Sequence, residues 1–536
     1  MSKTKRITLT VIGVLLMISL VMGISYAAWR LTLSQTTANT VNTSCFNITF
    51  KEENAILLEN TFPMYDEDGK TLTPYTFTIK NNCSAYATYQ IQLEIINTST
   101  LKDEYLKIMI DEKNPVILNT LQSGEKTLSE ASRAYIIDNN ALDVNEEKTY
   151  NIRVWLDENV TTETEGVQNS SWSAKITINA QYTDHLPTDY EKCVSKYGED
   201  SIQCSILADL DETGKCPTVN EDGTVVVNSA EATDGYVCSA PDDYGTSYYF
   251  RGNVENNWVK FADTYWRIIR INGDGSIRMI YAGDATVIDA LENKEEVLKN
   301  GYKDESTGYT QIGTSAYNGS FSGNAHVGYM YGTPASSTYE ETHANINNST
   351  IKTKVDEWYE SHIKDTEYEQ YISDTLFCND RSISENKPTS DFINSGIGKE
   401  KTAYRWYYGP WDSSNKQYPR FTCSQQNDRF TVNDEILGNG SLTYPVGLLT
   451  ADEVTLAGGY DLNNSGYYLY TGNIYWTLSP YYHDDSLPYE RVVNLIGSIF
   501  NAEGYVYRPL GVRPVLNLKS DSLKNGSGTA NDPYMV

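Results

Sequence analysis

The sequence predicts a multidomain, β-rich protein with an N-terminal antiparallel β-sandwich and a C-terminal α+β domain. Three observations predict this fold class. Apolar and polar residues alternate from about residue 29 to residue 184, eight cysteines fall into three even groups, and helical periodicity begins only near residue 350. The 536 residues suffice for about two to four domains with ordinary cores.

The chain begins like an exported protein. Residues 3–6 are rich in Lys and Arg, residues 7–24 are uncharged and mostly apolar, and small residues such as Ala27 follow. This pattern predicts either a signal peptide cleaved after Ala27 or an uncleaved membrane anchor over residues 1–28. We therefore expect the chain from Trp29 onward to be extracytoplasmic, either secreted or held at the cell surface by a transmembrane helix.

Charge and aromatic composition indicate which kinds of partner the protein can bind. The formal net charge is −29, which argues against nucleic acid because a phosphate backbone is bound by clustered Lys and Arg. The 42 tyrosines, against 12 phenylalanines, suit short strands and aromatic surfaces in contact with water. The composition therefore favours β structure with a solvent-exposed body.

Residues 29–184 are predicted to form the sandwich. Turn-rich segments such as residues 66–69 and 81–82 separate runs in which every second residue is apolar. Half-buried antiparallel strands at this spacing predict a β-sandwich of about seven to nine strands. The residues that share a strand face are Tyr75, Phe77 and Ile79; Tyr89, Ile91, Leu93 and Ile95; Tyr150, Ile152, Val154 and Leu156; and Trp172, Ala174, Ile176, Ile178, Ala180 and Tyr182.

Cysteines in an exported chain predict disulfides. The groups are Cys45 and Cys83, then Cys193, Cys204, Cys216 and Cys238, then Cys378 and Cys423. Even counts favour bridges within each group, so the first pair and the last pair are each expected to be bonded, while the middle four allow three connectivities. Zinc is the alternative for the middle four, although they lack paired C-x-x-C spacing. Residues 185–244 are accordingly predicted to be a disulfide-rich connector.

Residues 265–283 carry the strongest hairpin signal in the chain. Two runs of aromatic and β-branched residues flank Asn-Gly-Asp-Gly at residues 272–275, which supplies the positive φ of a tight turn. Each face of the first strand carries both apolar and cationic side chains, so we expect other parts of the domain to pack against both faces of this strand. We expect Arg267, Arg270 and Arg278 to find carboxylate or carbonyl partners within the domain rather than to mark an anion site.

Residues 245–536 are predicted to form an α+β head domain. Apolar residues at helical spacing over residues 351–363 follow Ser349, a residue type that is favoured at the N-cap. A shorter helix is predicted at Thr450 and Glu453, which match a capping box. Strands are predicted at residues 248–252, 258–262, 475–478, 492–496 and 512–518.

Three short motifs of the N-terminal module point to a known family. They are Ala27-Ala28-Trp29, a Thr- and Asn-rich segment at residues 36–43, and Phe-Thr-Ile-Lys-Asn at residues 77–81. Together they resemble the camelysin and biofilm matrix-fibre family, which implies a secreted sandwich that can be structural or fibre-forming. Camelysin's protease activity does not carry over, because the module has no H-E-x-x-H motif and no histidine between Trp29 and Asp184.

An ordered set of motifs runs through residues 245–536. They are Y-W-R-I-I-R at Tyr265, K-x-x-V-D-x-W-Y at Lys352, F-C-N-D-R at Phe377, P-V-G-L-L-T-A-D-E at Pro445, Y-W-T-L-S-P at Tyr475 and G-V-R-P-V-L at Gly511. The set resembles a bacterial surface domain of unknown function and is distantly similar to the formylglycine-generating and C-type-lectin-like fold. That similarity implies a closing strand beside the first hairpin, with Trp266 and Val512 in one sheet. Members of that domain usually carry Leu-Arg in the W-x-x-S-P motif, whereas this chain has Thr477-Leu478. Any role of the family's arginine therefore does not carry over to this chain.

No catalytic residue, metal site or cofactor is predicted. The head domain's histidines lack metal-ligand spacing to one another; they are His326, His343, His362 and His483. Ser349-x-x-Lys352 matches a serine–lysine nucleophile motif, but companion motifs are not evident and an N-cap explains Ser349. A formylglycine-generating type of oxidase would need two reactive thiols, for which Cys378 and Cys423 are the candidates. The disulfide expected between them accounts for both cysteines without a catalytic role. An enzyme is therefore the third-ranked class.

Residues 404–411, Tyr-Arg-Trp-Tyr-Tyr-Gly-Pro-Trp, form an aromatic loop bounded by Gly and Pro. Exposed, these rings would stack on sugars or anchor a protein; buried, they would cap the sheet, and the sequence leaves both open. The ligand-binding candidates are Tyr404, Arg405, Trp406, Tyr407, Tyr408 and Trp411, with Tyr329, Tyr331, Tyr481 and Tyr482 as expected neighbours.

The sequence thus favours an exported bacterial cell-surface protein of adhesin-like, non-enzymatic function. Its expected partner is an extracellular glycan or surface protein, bound by the C-terminal domain, with a membrane as a further partner if the N-terminal helix is not cleaved. The alternative is a structural subunit of an extracellular matrix or fibre that self-assembles through the N-terminal sandwich.

Overall fold

The computed structural model describes residues 30–536 except for residues 35–40, 44–45, 51–55, 60–61, 84, 112, 114, 162–163, 169, 184–187, 199–200, 209–214, 228–234, 295–296, 299–309, 460–464, 500–503 and 521. The predicted signal peptide or anchor over residues 1–28 lies outside the described residues. The chain divides into two compact units, Met1–Lys192 and Cys193–Val536. Residues 193–244 of the predicted connector belong to the second unit, together with the predicted head domain.

The first unit consists of two antiparallel sheets. One sheet has the strand order β1-β11-β6-β9, with β4 also paired to β11, and the other has the order β2-β3-β5-β10-β7-β8. The elements are β1 (Arg30–Ser34), β2 (Val41–Thr43), β3 (Phe46–Phe50), β4 (Ile56–Glu59), α1 (Asp66–Gly69), β5 (Tyr75–Asn81), β6 (Tyr86–Ile96), β7 (Leu106–Ile110), β8 (Val116–Ile117), β9 (Ala131–Leu142), β10 (Glu147–Leu156) and β11 (Ser171–Thr183), with 3-10 turns at Asp103–Tyr105 and Leu118–Thr120.

The inner faces of the two sheets share one core. Phe77 of β5 and Tyr150 of β10 come from one sheet, Ile91 of β6 and Ile176 of β11 come from the other, and all four are fully buried in the same cluster. The four longest period-two segments are therefore strands of a sandwich, as predicted. The described residues form eleven strands rather than seven to nine, because strands as short as β2 and β8 contain too few residues for alternation to reveal them.

The second unit is α+β. The elements are α2 (Asp189–Tyr197), which spans the unit boundary, α3 (Ile202–Ala208), β12 (Thr218–Val219), β13 (Val225–Val226), β14 (Tyr236–Asp242), β15 (Gly245–Arg251), β16 (Trp258–Phe261), β17 (Thr264–Ile271), β18 (Ile277–Asp284), α4 (Ala285–Ile288), β19 (Thr314–Ser315), β20 (Met330–Tyr331), α5 (Tyr339–Thr342), β21 (Asn347–Asn348), α6 (Thr350–His362), β22 (Phe377–Cys378), β23 (Thr402–Ala403), β24 (Arg429–Phe430), α7 (Ala451–Ala457), β25 (Tyr475–His483), β26 (Pro488–Val493), β27 (Leu510–Gly511), β28 (Val515–Leu518) and β29 (Tyr534–Met535). Short 3-10 turns lie at Asn324–Val327, Glu369–Tyr371, Arg405–Tyr407 and Gln426–Asp428.

The predicted hairpin is the centre of the larger sheet. β17 and β18 pair antiparallel, the turn has Gly275 at φ 90°, and every residue of β17 is buried. The closing strand β28 pairs with β18, so it lies beside the first hairpin as the fold resemblance implies. Val512 lies between β27 and β28 rather than in the sheet of Trp266, which corrects the second half of that expectation.

The second sheet carries the aromatic loop. Its strand order is β19-β27-β25-β23, with β26 also paired to β25. The predicted helices are confirmed beside it. The side chain of Ser349 accepts a hydrogen bond from Lys352 N at the start of α6, and Thr450 and Glu453 form a complete capping box on α7.

Three disulfides are present in the described part of the second unit. Cys378–Cys423 is bonded as predicted, and the middle four pair as Cys193–Cys204 and Cys216–Cys238, which excludes the zinc alternative. Cys83 is also disulfide-bonded, while its predicted partner Cys45 lies outside the described residues. Among the described residues, no helix is long and apolar enough to cross a membrane.

A buried ion network ties the hairpin to α7. Arg270 Nη1 lies 2.7 Å from Asp242 Oδ2, and Arg270 Nε lies 3.3 Å from Glu453 Oε1. Arg278 Nε lies 2.6 Å from the same Oε1; its N–H is not aligned for a hydrogen bond, so this contact is an ion pair. Glu453 Oε2 accepts the backbone N–H of Thr450 at 2.9 Å. The expectation that the hairpin arginines find partners within the domain is confirmed for Arg270 and Arg278.

Replacement of Glu453 by Gln tests this network. The amide keeps the shape but removes the charge that two buried guanidinium groups share, so we expect the free energy of unfolding of the second unit to fall by about 3–5 kcal/mol. The measurement is urea unfolding of the full-length protein. Glu340, which is exposed, supplies the control, and Glu340→Gln should change the same quantity by about 0.5 kcal/mol or less. Equal, small effects in both variants would contradict the central role of Glu453.

Candidate functional site

The aromatic loop is divided between core and surface. Tyr404 (0% exposed), Arg405 (4%) and Trp406 (1%) are buried, so these three candidates cap the sheet and do not form an exposed platform. Tyr407, Tyr408 and Trp411 are half-buried. Only this second half of the predicted site can contribute ring surface to a ligand.

The buried half of the loop is held by one carboxylate of α7. Arg405 Nη2 and Nη1 donate to Asp452 Oδ1 and Oδ2 at 2.6 and 3.0 Å. Trp406 Nε1 donates to Asp452 Oδ2 at 2.8 Å. Charge-assisted, bidentate bonds of this kind are strong and directional, so they fix the backbone from which Tyr407 and Tyr408 project.

Tyr407 begins a continuous group of aromatic rings, which we call the tyrosine surface. Tyr407 stacks on Tyr481 with ring centroids 5.5 Å apart, and it also contacts Tyr408 and Tyr482 edge-on. The predicted neighbours Tyr481 and Tyr482 are therefore in place, whereas Tyr329 is fully buried. The tyrosine surface comprises Phe321, Phe392, Tyr407, Tyr408, Tyr481, Tyr482, Tyr489, Tyr505 and Tyr507, each in ring contact with at least one other member.

The far end of the tyrosine surface reaches solvent. Tyr482 stacks on Tyr489 with centroids 4.1 Å apart, and Tyr489 contacts Tyr505 at 4.5 Å. From there the rings continue to Tyr507 and Phe321, which are 45% and 44% exposed. The rings thus form a continuous track that is buried at Tyr489, which is 6% exposed, and that reaches solvent at Tyr507 and Phe321.

An irregularity in β25 brings two adjacent tyrosines to this track. The pairing of β25 with β26 shifts register between Pro480 and Tyr482, and such a bulge re-aims side chains that would otherwise alternate across the sheet. Tyr481 and Tyr482 consequently contact each other and Tyr407 together. A sequence read as a regular strand would assign them to opposite faces.

A buried arginine supports the track from below. The guanidinium of Arg491 lies 3.7 Å from the ring centroid of Tyr481 and 5.2 Å from that of Trp411. Its Nε and Nη2 donate to the carbonyl oxygen of Trp406 at 3.0 and 2.6 Å. Burial lowers the pKa of Arg491 to about 10, so it stays charged at neutral pH. It therefore joins the loop backbone to the stacked rings.

Four phenols of the tyrosine surface, those of Tyr407, Tyr408, Tyr482 and Tyr489, are neutral at physiological pH. Burial raises the pKa of Tyr407, Tyr408 and Tyr482 above the usual value. Burial also raises the pKa of Tyr489, whose hydroxyl donates to Asp484 Oδ2 at 2.8 Å. The surface therefore offers apolar ring faces and hydroxyl groups that can donate or accept hydrogen bonds.

Five members of the tyrosine surface were missed by the sequence analysis. They are Phe321, Phe392, Tyr489, Tyr505 and Tyr507. Tyr505 and Tyr507 are two residues apart, and this spacing can place both side chains on one side of an extended segment. The other three belong to the surface through contacts with rings from distant parts of the chain. Such contacts cannot be recognised in a single sequence.

Three of the head domain's four histidines lie in the interior. His326, His343 and His483 are buried, and burial lowers the pKa of His326 to about 4, that of His343 to about 3, and that of His483 below its usual value. Within the described residues, no group of three or more His, Cys, Asp or Glu side chains has a geometry that could hold a metal ion. The amine of Lys352 is 2.6 Å from Asp356 Oδ2, and the hydroxyl of Ser349 caps α6.

Comparison with protein-family models, with curated proteins and with solved structures finds no match to this chain. The class of the protein therefore rests on its own fold and surface. These define a β-rich, disulfide-bonded, multidomain chain with a half-exposed aromatic track on its second unit.

Trp406 is expected to be a structural residue. Because it is buried and donates to Asp452, Trp406→Ala should lower the free energy of unfolding by about 3–5 kcal/mol. Tyr408 is a half-buried ring of the same loop, and Tyr408→Ala should lower the free energy of unfolding by about 1 kcal/mol or less. Urea unfolding of both variants checks this difference. A Trp406→Ala protein as stable as wild type would mean that the ring packs less tightly than its burial indicates.

The buried histidines predict a loss of stability on acidification. The pKa of His326 is lower in the folded protein than in the unfolded chain, so the unfolded chain binds more protons and stability falls as pH drops from about 6.5 towards 4. Between pH 6.5 and pH 5 this contribution is about 2 kcal/mol. Compared with wild type, His326→Phe should therefore show a shallower pH dependence of unfolding free energy over that interval. Parallel pH profiles for the two proteins would refute the prediction.

Proposed function

We propose that this protein is an extracytoplasmic, cell-surface binding protein whose second unit binds a glycan or protein ligand through the tyrosine surface. One observation carries the proposal: nine aromatic rings from five separate segments form a continuous track, and all of them except Tyr489 are at least partly exposed to solvent. Contiguous exposed apolar surface on a soluble domain is typical of an interaction site.

The chemistry of the track favours a glycan. The C–H face of a sugar ring can pack on a tyrosine ring, while the phenolic hydroxyls exchange hydrogen bonds with sugar hydroxyls. Rigid aromatic side chains also lose little conformational entropy on binding. Tyr489 and Tyr407 are already held by ring stacking, which makes the surface preorganised.

The compartment and the fold class support this proposal. Three disulfides indicate an oxidising, extracytoplasmic environment. A C-type-lectin-like second unit is part of the proposal, and the pairing of the closing strand β28 with the hairpin strand β18 supports it. Either attachment to the cell by residues 1–28 or release after cleavage of that segment is likewise part of the proposal.

A specific observation favours the alternative of a fibre subunit. β9 is an edge strand of twelve residues, and within the described residues its outer side is covered only near Tyr135, which bridges to Ser123. Residues 137–142 could accept a strand from another chain, since an open edge presents unpaired N–H and C=O groups. Such pairing would give assembly through the sandwich.

The decisive experiment measures binding of purified, oxidised full-length protein to a glycan array and to a panel of host matrix proteins. The test variant combines Tyr408→Ala with Tyr507→Ala, two ring positions that reach solvent. If the track binds the ligand, the double variant should lose affinity by about tenfold or more, while its urea unfolding midpoint stays close to that of wild type.

Phe62→Ala provides the matched control, because Phe62 is an aromatic residue of the first unit that is 82% exposed. Its binding should equal that of wild type. Binding that survives in the double variant would remove the tyrosine surface from the mechanism. If the wild-type protein binds nothing but assembles in a concentration-dependent manner during sedimentation, the fibre-subunit function is supported instead.

A further inference from the structure

A small cavity lies beside the first strand of the hairpin, in the second unit. It has a volume of about 90 Å³. Two guanidinium groups line it, those of Arg267 on β17 and Arg513 just before β28, together with Trp258, Thr310 and Tyr468. Arg267 and Arg513 are 4% and 2% exposed. The cavity therefore contains two cationic side chains that are almost completely removed from solvent.

The two arginines have only neutral partners in the described part of the chain. Arg267 donates through Nε to Asn257 Oδ1 and through Nη2 to the carbonyl of Val254, both at 2.6 Å. Arg513 donates through Nε to the carbonyl of Tyr281 at 3.0 Å and through Nη1 to that of Leu469 at 3.2 Å. Arg513 also contacts Tyr475, whose ring centroid lies 4.8 Å from its guanidinium. None of the bonds of Arg267 uses its Nη1, which leaves a donor for a further acceptor.

The neighbouring arginines of the same hairpin are different. Arg270 and Arg278 share the carboxylate of Glu453, and Arg270 also pairs with Asp242. Arg267, three residues before Arg270, has no such partner among the described residues. Its guanidinium lies 4.1 Å from the ring centroid of Trp258, and a ring face lowers the electrostatic penalty only partly. Burial lowers the pKa of Arg267 to about 9, so the group is still cationic at neutral pH.

Two hydroxyl groups at the cavity also lack hydrogen-bond partners among the described residues. Thr310 and Tyr468 are 6% and 7% exposed, and neither Thr310 Oγ1 nor Tyr468 Oη has a partner in that part of the chain. A buried polar group without a partner is destabilising. Hydroxyls without a partner and two guanidinium groups that form no ion pair among the described residues therefore line the same cavity.

We propose that this cavity is a binding site for a small oxyanion, coordinated by Arg267 and Arg513 and hydrogen-bonded by the hydroxyls of Tyr468 and Thr310. Guanidinium groups match the geometry of carboxylate, sulfate and phosphate oxygens. The shared chemistry is a compact group of anionic oxygens, supplied either by an inorganic tetrahedral ion or by the carboxylate of a small organic acid. This site is independent of the tyrosine surface.

Water alone satisfies the site less well than an anion. Ordered water can complete the hydrogen bonds of Thr310 and Tyr468, but it does not neutralise two cations that are removed from bulk solvent. Buried charges in proteins are usually paired because an unpaired one is destabilising. An oxyanion compensates the charge and accepts the free N–H and O–H donors at once.

The test is thermal unfolding of the full-length protein in titrations of sulfate, phosphate, formate and acetate, each against chloride at equal ionic strength. Binding to the folded state should raise Tm along a saturating curve for at least one oxyanion. Saturation with sulfate or phosphate assigns an inorganic ion, and saturation with formate or acetate assigns a carboxylate. Saturation matters because excluded salts such as sulfate also raise Tm without saturating.

Tyr468→Phe removes one hydroxyl from the cavity and keeps the ring. It should raise the apparent Kd about tenfold, because it removes a hydrogen bond to a charged group. Tyr249→Phe is the matched control, since Tyr249 is also buried with an unpartnered hydroxyl but lies in a separate cluster beside Phe421. Its apparent Kd should equal that of wild type.

Thr310→Val offers a second variant in case Tyr468→Phe does not fold, and the same loss of affinity is expected from it. The proposal is overturned if all four anions act as chloride does in the wild-type protein. It is also overturned if a saturating response is the same in wild type, Tyr468→Phe and Thr310→Val.

Discussion

The first turn of α7 is the constraint on which the second unit depends. A helix N-terminus has unpaired N–H groups and attracts acidic side chains, and here two neighbouring carboxylates serve different partners. Glu453 caps the helix and holds Arg270 and Arg278 of the hairpin. Asp452 holds Arg405 and Trp406 of the aromatic loop. Because separating buried charges is strongly destabilising, the hairpin and the loop are both positioned by one helical turn.

That constraint explains why the loop has two halves with different roles. Because Arg405 and Trp406 are anchored in the core, the next residue, Tyr407, lies at the boundary with solvent. There it contacts Tyr481 and Tyr482, which the β25 bulge brings to the same side. Tyrosine suits such a boundary better than phenylalanine, because its hydroxyl can remain hydrated while the ring is packed. The stacked rings hold one another in place, so the proposed binding surface would need no mobile loop.

The buried arginines of this unit show how similar side chains acquire different electrostatic surroundings. Arg270 and Arg278 are neutralised by carboxylates, Arg491 lies among carbonyls and rings, and Arg267 and Arg513 share a cavity with unpartnered hydroxyls. Their local sequences give no reason for this difference. It arises because each guanidinium contacts groups contributed by other parts of the chain. Those groups include carboxylates for some of the arginines and only neutral groups for the others.

The sequence by itself determined the features that depend on residues close together in the chain. The turn at residues 272–275, the caps at Ser349 and Thr450, and the alternation in the sandwich strands are local, so their stereochemistry could be recognised without a fold. Tertiary structure decided that Trp406 is buried, that Tyr489 and Tyr507 belong to one surface with Tyr407, and how the middle cysteines pair. Each of these outcomes depends on contacts between segments far apart in the chain, and a single sequence does not specify which distant side chains share a layer, a face or a cavity.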